Sequence, residues 1–538
     1  MIVCWDRPDP AGKIIGMTAL TAELVADARI PQNPVIAPDG RLVCYTLAPG
    51  ELWIAGTDGT VTPVTDRPAE LIDHPPPVDP GLFGDRQVVE LRQRPDGGPV
   101  AVLTQASTDR DYGPRTGHLH LFDPATGTVE DLGPTEVDAR SLTWWPEEDS
   151  WHLGYLALTP PLLCAGTAIF DLALKTRVLR NRTADLPMCP TELCQTDAAP
   201  LILFADGLNT TLARLDPDGP TQMSRHRGRL RSLTATPSGD TIAVLTGARH
   251  QLPNVYIGSP AGPLRKITDT SPELDGLLAG TQEPLTYRAA DGLELDGLLV
   301  LPPGTKGPFP LITIPHGGPY DRHADGCQLS WDPSAQWLAT AGFAVFLPNP
   351  RGGLGHGHRF AASVAGRVGR EEWTDIITGI DLLIDRGIAD PDRLGIAGWS
   401  HGGFLAAWAV SQTDRFRAAL VGAGVVDWGM LAATGEYGLF EAALGGSVGW
   451  EGPGPHPHDA VSPISYASRI RTPVLIVHGA EDTNVPLGQA VYLQRALRHF
   501  GVEHELVVYL REGHRIRERQ HRIDLLRRTR SWFERWLG

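Results

Sequence analysis

No stretch of the 538-residue sequence approaches the roughly 18 apolar residues that a helix needs to cross a bilayer, which argues against a helical membrane protein. The opening residues MIVCWDRPDPAGK lack a basic start followed by an apolar run, so no signal peptide is expected. Cysteine is scarce. Cys4, Cys44, Cys164, Cys189, Cys194 and Cys327 are scattered, and only Cys189 and Cys194 sit close, as CPTELC without histidine neighbours. That is a poor zinc signature, and free buried thiols are the plainer reading. Positive charge is also short: 47 Lys and Arg face 63 Asp and Glu, a formal net charge of -16. No basic face is available to neutralise phosphates, which argues against a nucleic-acid partner. The chain reads as cytoplasmic, with neither membrane nor nucleic acid as partner.

Glycine (60) and proline (47) are plentiful, mostly in short turn-like clusters. The length suggests two domains of roughly 250–300 residues each. Residues 34–268 repeat hairpins such as VIAPDGRLVCYT, SLTATPSGDTIAVLT and HLHLFDPATGTVEDL. Asp-Gly and Pro-Asp-Gly between alternating apolar residues supply the positive φ that tight hairpin turns need. About five such units recur at spacings of about 40–55 residues, the size of four-stranded propeller blades. Six or seven blades fit if 66–87 and the residues before 34 hide degenerate ones, and an array of β-sandwiches is the alternative. Residues 1–33 form an N-terminal segment in which MTALTAELVADARI (17–30) could be helical.

Residues 269–284 read as a linker, and the rhythm changes at 285–538. Apolar strands such as LITIPHGG, LGIAGWS and VLIVHGAED alternate with amphipathic helices such as EEWTDIITGIDLLIDRG. This alternation predicts a parallel, doubly wound sheet with ligands at the strands' C-terminal ends.

Two segments match G-x-S-x-G: GWSHG around Ser400 and GGSVG around Ser447. Ser400 follows the apolar run LGIAG and precedes FLAAWAV, the strand-to-helix elbow that exposes a nucleophilic hydroxyl. Ser447 follows the helical run YGLFEAAL and reads as a helix-ending loop. A serine hydroxyl needs a base, and the base needs an orienting carboxylate. In an α/β-hydrolase domain both follow later strands, which points to Asp482 after VLIVHGAE and to His514 after ELVVYLREG. Asp427 is the competing acid, Glu481 should face away, and His478 reads as packed inside its strand. An oxyanion hole needs two backbone N–H groups. His401 should supply one and Gly318, in HGGP at 316–319, the other, unless that loop is a plain turn.

Taken together, HGGP (316–319), NPRGGLGHGHRF (349–360), the elbow at 390–404, HGAEDTNVP (478–486) and the C-terminal EGH segment resemble the prolyl oligopeptidase family, most of all its acylaminoacyl-peptidase branch. The resemblance is detailed from 285 to 538; over 34–268 only the propeller-like rhythm agrees. It implies an N-terminal all-β propeller of five to seven blades that restricts access to an α/β-hydrolase domain. It also implies hydrolysis of short, possibly N-acylated peptides through a Ser-His-Asp triad and an acyl-enzyme, without metal or organic cofactor. By the same resemblance Val425, Trp428 and Phe440 would line the pocket for the acyl residue, although core packing explains each equally well. His316 stands where other branches carry a tyrosine whose hydroxyl serves the oxyanion, which moves that donor to the backbone. No convincing Glu-Glu pair for a free α-amine appears, Glu147-Glu148 being a turn. Dimers and larger rings occur among relatives, and the sequence leaves a homo-oligomer open. The rival functions are an esterase or amide hydrolase acting on a non-peptide metabolite, and a propeller interaction protein with a dead hydrolase domain.

Overall fold

Alternating apolar residues around glycine-bearing turns build short antiparallel sheets from residue 32 to residue 266. The computed structural model describes residues 20–538 apart from 48–50, 65–76, 148–149, 161–162, 164–165, 278–279 and 331. Among the described residues, five four-stranded meanders span 32–64, 87–134, 140–181, 189–227 and 231–266. They form the blades of a propeller. The stretches suspected of hiding further blades add no sheet among the described residues; 66–76 and Glu148 lie outside them.

Neighbouring blades are joined by polar side chains that satisfy the backbone of an adjoining blade's first strand. Glu90 accepts the Leu142 N–H (2.8 Å), Gln195 the Trp144 N–H (3.1 Å), and Glu192 the N–H groups of Ser232 and Leu233 (2.7 and 2.6 Å). Burial raises the pKa of Glu90 and of Glu192, so a charge there would be costly without these donors.

The helix expected over 17–30 is the single short segment α1 (Ala22–Asp27), capped by the Thr21 hydroxyl. It does not lie on the blades. Val25 and Ala26 pack against Ile523 and Leu526 of the C-terminal helix, and Asp27 pairs with Arg519 at 2.6 Å.

The C-terminal half is built on an eight-stranded sheet of β1 (Thr281–Arg288), β2 (Glu294–Leu301), β3 (Phe309–Thr313), β4 (Ala344–Asn349), β5 (Ala389–Trp399), β6 (Phe416–Gly422), β7 (Val474–Gly479) and β8 (His504–Tyr509), in the order β1-β2-β4-β3-β5-β6-β7-β8. From β4 through β8 the pairings are parallel; β1 and β2 run antiparallel. The stretch read as a linker to 284 therefore ends inside β1, because Thr281 already pairs with Leu301 and Gln282 is buried. Helices cover both faces, as an all-parallel core requires. On one face lie α2 (Glu371–Asp385), with Ile376 and Ile380 buried, and α3 (His401–Gln412), with Phe404 buried. The C-terminal helix Arg519–Leu537 buries Leu525, Phe533 and Leu537 on the other. Among the described residues no helix is long and apolar enough to cross a membrane.

Candidate active site

β5 runs directly into α3, and the turn between them is a single residue. Ser400 adopts φ 58°, ψ -122°, a conformation that an L-residue holds only where its surroundings impose it. Its N–H donates to the Gly422 carbonyl of β6 at 2.9 Å. The flanking glycines are required sterically: a Cβ on Gly398 would lie 2.1 Å from the Gly402 oxygen, and one on Gly402 2.3 Å from the Pro315 oxygen. The serine is thereby lifted out of the sheet toward solvent.

Asp482 lies in the loop after β7, where its Oδ1 accepts the N–H groups of Asn484 and Val485 at 3.0 and 2.9 Å. Its Oδ2 stands 2.8 Å from His514 Nδ1, in the loop after β8. The Trp399 indole donates to the His514 carbonyl (2.9 Å), tying the histidine loop to the strand that carries the serine. His478 lies 3.5 Å from the same carboxylate oxygen, but its Nε2 donates to the Val485 carbonyl and burial lowers its pKa. It is thus a neutral support of the Asp482 loop. Asp427, the rival acid, caps a helix by accepting the Met430 N–H at 2.9 Å. Glu481 is exposed. Ser400 and His514 line one cavity of about 560 Å³, and no hydrogen bond joins them among the described residues. Such contacts commonly tighten only when substrate is bound.

His401 opens α3, so its N–H belongs to the unpaired first turn of a helix beside the serine. Its side chain is held elsewhere, Nε2 lying 2.7 Å from buried Glu372, whose other oxygen accepts the Gly369 N–H at 2.6 Å. Glu372 was missed in the sequence, where it is one of two adjacent acids at a helix start. Gly318 has φ 121° in the loop after β3 and lines, with Ser400 and His401, a second cavity of about 570 Å³. His316 Nδ1 lies 2.8 Å from the Gly317 carbonyl, and burial depresses its pKa.

The second cavity lies between the two domains. Arg110, Asp138 and Thr191 border it from the propeller, and Val425, Trp428 and Phe440 from the catalytic side. The last three belong to the segment bearing α4 (Trp428–Thr434) and α5 (Gly438–Gly445). A propeller loop grips that segment: Arg110 donates to the Tyr437 hydroxyl (3.0 Å), and Asp111 accepts the Leu439 N–H (2.9 Å). Ser400 therefore stands where two cavities meet, and the propeller borders both, the other through Arg229, Arg231 and Pro253.

Residues 329–538 match the prolyl oligopeptidase family. Residues 329–538, less than half of the chain, thus carry a domain similar to that family's. The chain is 33% identical over 270 residues to an uncharacterised peptidase, YuxL, of Bacillus subtilis, covering 47% of this chain and 39% of that one. It is 31% identical over 245 residues to the acylamino-acid-releasing enzyme of Arabidopsis thaliana, covering 42% and 30%. The matched region thus spans well under two thirds of either relative's length. Nearly the whole chain superposes on solved structures. The Pyrococcus horikoshii acylaminoacyl peptidase gives a TM-score of 0.72 at 20% identity, over 94% of this chain and 88% of that one. A puromycin-hydrolyzing peptidase of Mycobacterium tuberculosis gives 0.72 at 18% identity, over 96% of each. At such identities the likeness establishes the fold, a propeller joined to an α/β-hydrolase domain.

Among the described residues, two side-chain clusters have the composition of cation sites. In one, Glu147, His152 and Asp171 gather, but the Arg182 guanidinium already bridges Asp171 (2.6 Å) and Glu147 (3.4 Å). In the other, Glu512 accepts the Arg517 and Glu518 N–H groups, each at 2.7 Å, and pairs with His521. Both clusters are internally satisfied and read as structural.

Proposed function

We propose that this protein is a serine peptidase that cleaves short peptides, N-acylated ones included, with Ser400 as nucleophile, His514 as general base and Asp482 as its orienting acid. The observation that carries the reading is the 2.8 Å Asp482–His514 pair, which opens on the cavity bordered by the elbow serine. A buried carboxylate on Nδ1 leaves Nε2 to take the serine proton and stabilises the imidazolium that results. Ser400 Oγ attacks the scissile carbonyl, and the negative charge on its oxygen falls to the N–H groups of His401 and Gly318. His514 returns the proton to the leaving amine, and water, activated by the same base, releases the acid. The propeller roof favours short, flexible chains over folded ones, since folded domains exceed a cavity of about 570 Å³.

The same apparatus hydrolyses esters and small-metabolite amides. The puromycin-hydrolyzing neighbour, which aligns over 96% of both chains, keeps that second reading in play. The deciding experiment measures kcat/KM on three substrates that share a norleucine acyl residue: the N-acetyl anilide, the free-amine anilide and an N-acetyl p-nitrophenyl ester, each with a Ser400→Ala control. Turnover of the acetylated anilide, lost in the control, supports the proposal. Preference for the free amine indicates an aminopeptidase, and turnover of the ester alone a metabolite esterase.

A further inference from the structure

The propeller-roofed cavity beside Ser400 has an apolar wall of Val425, Trp428, Leu431, Phe440 and Leu444, and Glu441 is set into that wall. Glu441 is 4% exposed, and its Oε2 has no hydrogen-bond partner. The carboxyl lies over Gly435, where a Cβ would stand 2.4 Å from Oε2 and 3.0 Å from the Asn484 carbonyl oxygen. Only a residue without a side chain leaves room for it there.

The cations nearby are otherwise engaged. Arg110 holds Tyr437 and Glu436, Arg115 holds the Asp111 carbonyl (2.9 Å), and Arg140 pairs with Asp138. Burial, then the negative charges of Asp111 and Glu436, push the Glu441 pKa up to about 8. An ionised carboxylate without a partner is costly at such a site, and a neutral aliphatic side chain would fill the wall at no such cost. The arrangement suits a long side chain whose methylenes cover the apolar wall and whose cationic head reaches the carboxylate.

We infer that Glu441 selects substrates carrying a lysine- or arginine-like cationic side chain on the residue whose carbonyl Ser400 attacks. The inference rests on the peptidase reading, and names its acyl-side specificity. Substrate then brings the counter-charge that the folded protein lacks. The titratable groups that share the cavity with Glu441 include Arg110, Asp111, Arg115, Asp138 and Arg140 from the propeller and Tyr437 from the turn between α4 and α5, and Asp111 and Glu436 act on its charge.

The test uses two N-acetyl diphenyl aminoalkylphosphonates, one with a lysine-like and one with a norleucine-like side chain. Ser400 Oγ bonds to phosphorus, one phenoxide leaves, and the serine proton passes by way of His514 to give phenol. Intact-mass spectrometry follows the modification without any need for peptide turnover. The lysine analogue is expected to react about ten to a hundred times faster, the range of one hydrogen bond to a charged group. That ratio rises from pH 6.5 to 9 as Glu441 loses its proton, and taking the ratio cancels any pH effect common to both probes. Glu441→Gln flattens the pH dependence and brings the ratio toward one. Glu441→Leu inverts it. Equal rates in the wild type, or a faster norleucine analogue, with Ser400 modified, overturn the inference and leave the peptidase reading intact. Modification of Ser400 by neither probe overturns both.

Discussion

Ser400 and Ser447 occupy the same five-residue pattern, and the fold treats them in opposite ways. Ser400 sits on a one-residue turn between β5 and α3, faces two cavities and has a helix N-terminus behind it. Ser447 follows α5, is 8% exposed and is hydrogen-bonded to His458 Nδ1 at 2.9 Å, while its oxygen also accepts the His458 N–H at 3.2 Å. The serine that already holds a histidine is thus the one sealed from any substrate. A serine–histidine hydrogen bond is therefore a poor marker of a nucleophile. Nor does a carboxylate behind the imidazole decide it, since Asp459 lies 3.7 Å from His458 Nε2. Access and backbone donors beside the hydroxyl carry more weight, and of the two serines Ser400 has both.

The contrast can be broken most decisively at the hydroxyls. Ser400→Ala should lower kcat/KM on the preferred substrate by about four to six orders of magnitude, as loss of a triad nucleophile does. Retained activity would remove Ser400 from the mechanism. One step back, Asp482→Asn should cost about 10⁴ in kcat with folding intact, because Nδ1 then loses its acceptor and the tautomer changes. A loss confined to thermal stability would make the 2.8 Å pair structural.

The glycines sharpen the comparison on a smaller scale. Gly402→Ala drives a methyl to 2.3 Å from the Pro315 oxygen and should cost about a hundredfold in kcat by displacing the elbow. Gly449, at the equivalent place in the second pattern, has nothing within 4 Å of a Cβ. Gly449→Ala should therefore leave kcat alone and change stability by no more than about 0.5 kcal/mol in urea titration. Between these extremes, Ser447→Ala leaves His458 Nδ1 unsatisfied. It should lower stability by about 1–3 kcal/mol with kcat/KM unchanged.

Much of this contrast was legible before any coordinates. The apolar run into Ser400 and the helical run into Ser447 are local patterns, and local patterns survive in sequence because hairpin turns and helix faces have fixed periods. Blade hairpins such as SLTATPSGDTIAVLT were visible for the same reason. Boundaries were less so: α1 is shorter than the run that suggested it, and β1 begins earlier than the turn-rich 269–284 stretch implied, because pairing with Leu301 rather than composition decides where a strand starts.

What the sequence determined by itself is the order of the parts: repeated hairpins, then alternating strands and helices, with a serine, an acid and a histidine each after a later strand. Only tertiary structure decided which polar side chains meet. Glu372 reaches His401 across 29 positions, Arg110 reaches Tyr437 across 327, and Glu441 is left in an apolar wall with no partner at Oε2. None of these has a period or a spacing. Each depends on how two separately patterned layers come to rest against one another, and a buried charge becomes costly or useful only once its neighbours are in place.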